Sequence, residues 1–81
     1  MINKNYKVSL SGRSGVLYSE NNHNVEIESE FLYGEYDMVI YFSLIQSWLS
    51  PNEHEIISEE ERERIKINIQ NELSNLKIDW A

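Results

Sequence analysis

The chain has no cysteine, which excludes a disulfide framework, a thiolate zinc site and a cysteine nucleophile together. A small domain without such staples must rest on its packed core or on a partner. Long apolar runs are also missing. The longest, Met38 to Phe42, spans five residues, far short of a membrane helix. The first residues, Met1-Ile2-Asn3-Lys4-Asn5, carry no hydrophobic signal region. These absences predict a cytoplasmic domain that does not enter the membrane. No repeat, linker or low-complexity segment divides the 81 residues, so 1–81 reads as a single small domain. With 41% apolar residues it can bury one modest core and is not a disordered polyanion.

A further absence is directional. From Ser14 to Glu61 there is no lysine or arginine at all. That stretch carries eleven acids and a charge of −11, while residues 1–13 hold +3 and residues 62–81 hold +1. The net charge of −7 argues against direct binding to nucleic acid, whose affinity comes from cations on phosphates. A long segment without basic residues makes an acidic surface that steers a basic partner, and it also keeps a small protein soluble. Charge alone leaves both uses open.

Local patterns give the elements. Tyr6, Val8 and Leu10 alternate with Lys7 and Ser9, the period of a half-buried strand. Ser11-Gly12-Arg13-Ser14-Gly15 turns the chain into a second strand at Val16-Leu17-Tyr18-Ser19. Asn21-Asn22 suits a hairpin turn, because asparagine tolerates the left-handed region. Val25, Ile27, Ser29 and Phe31 then line one face of a third strand, and Glu26, Glu28 and Glu30 the other. After a turn at Tyr33-Gly34-Glu35, the segment Tyr36–Phe42 is apolar on both faces and predicts a central strand. Ser43 with Gln46 forms a capping-box pattern, which predicts a short helix carrying Leu44, Ile45, Trp48 and Leu49 on one face. A second box at Ser58 and Glu61 opens a long helix with an Ile65/Ile69/Leu73 stripe, leaving Arg62, Lys66 and Glu72 outside and ending near Ser74-Asn75. Leu76, Ile78 and Trp80 alternate as a last strand. Trp48 is expected in the core and Trp80 over a sheet edge. The expected fold is α+β: a mostly antiparallel meander with one short and one long helix on one sheet face and a short C-terminal strand.

Catalytic patterns fail one by one. Asn52-Glu53-His54-Glu55 lacks the second histidine of a zincin, since position 58 is serine, and His23 and His54 stand 31 positions apart; no metal site is expected. The glycine-bounded loop at 11–15 matches neither a nucleophile elbow nor a phosphate loop. Neighbouring carboxylates among Glu26, Glu28 and Glu30 would stand about 7 Å apart on one strand face. That separation approaches a glycosidase pair, but an acid–base pair also needs a cleft to raise one pKa, and an open strand face provides little. The row fits recognition better. Three like charges in line repel one another, and a partner's arginines or lysines relieve that repulsion through charge-assisted bonds. Glu35 and Asp37 extend the acidity past the turn, so Glu26, Glu28, Glu30, Glu35 and Asp37 are the candidate partner-binding residues.

These segments also resemble the family called Immunity protein 74, found in bacterial polymorphic-toxin systems. The resemblance runs through Val25-x-Ile27-x-x-Glu30-x-Leu32-x-Gly34, Asp37-Met38-Val39-Ile40-Tyr41, Ser43-x-Ile45-x-x-Trp48 and Pro51. It continues through Ile57 and the acidic helix start to Ile65 and Ile69. It implies a cytoplasmic antitoxin that binds and neutralises a cognate secreted toxin, with no catalysis and no cofactor. A toxin with nuclease activity would present a basic cleft to such a surface. A phage- or plasmid-encoded nucleic-acid mimic that inhibits a nuclease would use the same acids. Gene neighbourhood separates the two: a toxin gene directly upstream against a phage operon.

Overall fold

A computed structural model describes residues 5–11 and 15–81. The elements are β1 (Tyr6–Ser11), β2 (Gly15–Glu20), β3 (His23–Phe31), β4 (Met38–Ile40), α1 (Glu59–Glu72) and β5 (Ile78–Trp80). They form one five-stranded sheet in sequence order. The first three pairings are antiparallel and β4–β5 is parallel, so the meander ends as a mixed sheet. Parallel pairing follows from α1, which carries the chain back before β5 begins.

Asn21 and Asn22 both take positive φ, 47° and 64°, and close the β2–β3 hairpin with Glu20 opposite His23. The residues 12–14 of the expected first turn lie outside the described residues, and Ser11 and Gly15 on either side pair with each other. Gly15 is required for a separate reason. At φ 132°, a Cβ there would stand 2.0 Å from the Ile27 carbonyl oxygen.

Strand alternation sorts the sheet into two faces. The inner face holds Val16 and Tyr18, Val25 and Ile27, Met38 and Ile40, and Ile78, all buried against Ile65 and Ile69 of α1. Ser58 caps α1 as expected: its hydroxyl accepts the Glu61 amide at 3.2 Å, and the Glu61 carboxylate accepts the Ser58 amide at 2.9 Å. Glu59, Glu60 and Glu61 in the first turn complement the helix dipole. Leu73 is partly buried beside the stripe and caps the helix end. Burial of β4 on both faces matches its central position.

Three expectations are corrected. The short helix after β4 is only a 3-10 turn, Phe42–Leu44, and Ser43 makes no side-chain cap. Amides that such a helix or its cap would use are drawn elsewhere: Ser43 donates to the Ala81 carbonyl rather than to Gln46, Trp48 to Glu55 and Leu49 to Asn24. Extended backbone at Ile45 then leads into a bridge between Ser47 and Ile56. Ile45 and Trp48 are buried as expected, while Leu44 and Leu49 face solvent.

Phe31 is the second correction, exposed rather than buried. β2 begins at Gly15 opposite Glu28, so among the described residues, 29–31 pair only with β4. The third concerns α1, where Arg62 and Lys66 are not simply outward. Arg62 donates to the Ile45 carbonyl and Lys66 lies 5.4 Å from the Trp80 ring centre. Trp80 in turn meets Phe42 edge-on and donates to Gln70 at 3.2 Å.

Candidate partner-binding surface

The outer sheet face is built by the same alternation that fills the core. Glu26, Glu28 and Glu30 all point outward and are exposed. Cross-strand pairing sets Glu26 opposite Leu17 and Glu28 opposite Gly15, and lines Glu30 up with Val39 and Asp79. Since α1 covers the inner face, these carboxylates stand in solvent over a buried Val39. Asp79 was not among the expected residues. Its signal lay in the Leu76/Ile78/Trp80 alternation, which leaves position 79 on the opposite face.

Tyr41 lies in this row. Its hydroxyl donates to a Glu30 oxygen at 2.8 Å. That bond, reinforced by burial and by the charges of Glu30, Glu28 and Asp79, holds the phenol above its ordinary pKa. Carboxylates from β3 and β5 thus act on the same phenol. Glu26 and Glu28 have no ion-pair partner among the described residues.

Glu35 and Asp37 are placed differently. Asp37 follows the outward alternation of Val39 and Tyr41, but its carboxylate accepts the Lys77 amide at 2.7 Å and so secures the start of β5. Glu35 is in the turn, 3.7 Å from the Lys77 ammonium. The structure therefore brings Glu26, Glu28 and Glu30 together and sets Glu35 and Asp37 around a lysine at one corner.

Apolar side chains border the acids at both ends of β3. Phe31, Leu32 and Tyr33 are exposed at the β3–β4 turn, and Leu44 and Leu49 are exposed near the other end. Exposed aromatics beside charge are common anchors of protein interfaces. In the sequence, the break in alternation at Phe31-Leu32-Tyr33 was the available signal.

One carboxylate that sequence reading missed points inward. Glu20 is 8% exposed and accepts from the Tyr18 hydroxyl at 2.6 Å and from Arg64 of α1 at 3.2 and 2.5 Å. Burial alone pushes its pKa up, but the Arg64 and Tyr18 bonds outweigh that and hold it below the ordinary value. Burial and the Glu20 bond push the Tyr18 phenol well up. This network is structural, on the face away from the acidic row.

The histidines behave as side chains of the fold. His23 Nδ1 meets the Asn21 carbonyl at 2.8 Å and Nε2 meets Glu55 at 3.1 Å, with the Trp48 ring edge-on at 5.1 Å. Among the described residues no three acids and histidines are grouped to hold a metal ion, and no helix is long and apolar enough to cross a membrane.

The architecture is thus a small α+β domain that presents a row of exposed carboxylates on its outer sheet face. Residues 7–80 match the family described as Immunity protein 74, nearly the whole chain, and the chain belongs to that family. Membership places it among immunity proteins. No curated protein and no solved structure matches it.

Proposed function

We propose that the chain is an antitoxin of the cytoplasm that neutralises a cognate secreted toxin by binding it, with Glu26, Glu28 and Glu30 at the centre of the contact. Glu35 and Asp37 form its rim. The observation that supports this reading most is the row of exposed carboxylates on the sheet face opposite α1. Such a row complements a basic toxin surface, speeds encounter and excludes partners of like charge. The role needs no cofactor and no reaction at these carboxylates, because occupancy of the toxin is sufficient.

The test is co-expression with the toxin gene adjacent in the genome. Wild-type chain should restore growth and co-purify with the toxin. Replacing Glu26, Glu28 and Glu30 with lysine changes the net charge from −7 to −1. Each solvent-facing substitution should shift stability by no more than about 0.5 kcal/mol. Toxin binding should fall far more, since truncating one side of a desolvated interfacial charge pair costs about 2–5 kcal/mol. Wild-type affinity in a triple-lysine protein with unchanged circular dichroism would return these glutamates to a solubility role.

A further inference from the structure

The edge of β3 is interrupted. Beside β4 it carries ladder bonds only over residues 29–31, because β4 has three residues. Further along the same edge, the Glu28 carbonyl accepts the Tyr41 amide at 2.9 Å and the Asn24 carbonyl accepts the Leu49 amide at 2.7 Å. Residues 24, 26 and 28 turn their backbone groups to the same side of a strand. Glu26 lies between the two bonded carbonyls, where the chain bows out through the turn at Phe42–Leu44, and its own peptide groups have no partner there among the described residues.

The bow opens a cleft of about 380 Å³. One wall carries Glu26 and Glu28, and the other carries Leu44, Gln46, Ser47 and Leu49. Leu44 is 61% exposed and Leu49 45%, so the apolar wall has no covering element. A space of this size lies at the low end of small-ligand clefts, roughly 300–1,000 Å³.

We propose that this cleft seats an arginine side chain of the toxin, an inference that rests on the antitoxin reading above. The long methylene stem of arginine lies along Leu44 and Leu49, as amphipathic side chains do on apolar surface. Its planar fork of donors faces the Glu26 and Glu28 carboxylates and the open Glu26 carbonyl, a set that a point-charge ammonium satisfies less fully. The residue would be an anchor at one end of the acidic row, since arginine is among the residues that dominate interface energies.

The test uses the full chain, labelled with nitrogen-15, and N-acetyl-arginine amide as the probe. The lysine and citrulline amides serve as comparisons, citrulline being the uncharged analogue. Saturable shifts should concentrate at Glu26, Glu28 and the amides from Leu44 to Leu49. They should be weaker with lysine and absent with citrulline. Glu26→Gln with Glu28→Gln should weaken the arginine probe at least about tenfold, the loss expected for one charge-assisted bond. Leu44→Ser with Leu49→Ser keeps both acids and should still weaken it. Shifts spread evenly over the exposed acids, Glu59 and Glu60 included, or equal shifts with citrulline, would overturn the inference. Toxin capture is scored separately. Capture of the toxin without seating of arginine in the cleft refutes the cleft alone, while seating without capture refutes the antitoxin reading.

Discussion

Arg64→Met tests the one buried charge in the described core. Glu20 is 8% exposed and Arg64 supplies two of its three hydrogen bonds, the Tyr18 hydroxyl supplying the third. Breaking a fully buried ion pair costs about 3–5 kcal/mol, because the remaining charge is left without compensation. Arg64 is 48% exposed, so water reaches its place when the guanidinium is removed, and Tyr18 keeps its bond. The loss therefore lies nearer that of a hydrogen bond to a charged group, about 2 kcal/mol at neutral pH. For a chain of this size it should lower Tm by about 8–16 °C. Acid should narrow the difference. The Glu20 pKa is depressed in the folded protein, so its stabilising contribution is present above the ordinary carboxylate value and lost as pH falls through the folded value. A protonated Glu20 no longer needs the guanidinium. Urea melts of wild type, Arg64→Met, Glu20→Gln and the double variant, at neutral and acidic pH, give both the magnitude and the coupling. A coupling energy below about 0.5 kcal/mol, or a deficit that persists unchanged in acid, would refute the reasoning.

Other perturbations test separate parts of the fold. Ser58→Ala should lose about 1 kcal/mol by removing the hydroxyl that accepts the Glu61 amide, read from a denaturant melt. Ile69→Ala should lose about 2–5 kcal/mol in the same assay, since the side chain is wholly buried, and a negligible loss would contradict the seating of α1 on the sheet. Gly15→Ala should destabilise by more than about 1 kcal/mol, because positive φ and the Ile27 carbonyl both oppose a Cβ. His23 needs both ring nitrogens protonated to donate to Asn21 and Glu55, and these two bonds, the Asn21 one first, raise its pKa. Its contribution is therefore full below its unfolded pKa and lost as pH rises through the raised folded value. Melts across pH 6–9 should show that decline, and His23→Gln should flatten it.

Most of the fold was legible because one regular periodicity governed each element. The alternation through Val25, Ile27, Glu26 and Glu28, the Asn21-Asn22 turn and the Ser58–Glu61 box are local signals, and tertiary structure reinforces each of them. The Ser43–Gln46 pattern met the same local rule as Ser58–Glu61, yet it formed no cap. The difference is in competing partners. Amides in this segment reach carbonyls of Asn24, Glu55 and Ala81, none of which its own sequence reveals. Parallel pairing of β5 was likewise hidden, because strand direction depends on where the helix returns the chain.

The carboxylates show how far alternation alone reaches. Val16, Tyr18 and Glu20 share one phase on β2, so the phase that buried the first two also carried Glu20 inward. Its compensation came from Arg64, beyond the long cation-free span, and only the packing of α1 on that face brings them together. On β3 the opposite phase sends Glu26, Glu28 and Glu30 outward, where no described residue forms an ion pair with the first two. A chain whose described acids were arranged for stability alone would pair them as it pairs Glu20. The outer row stands exposed beside a buried Val39. That contrast separates two placements of one residue type: Glu20 is answered by Arg64 within the fold, and the outer row is the one proposed to meet charges from a partner.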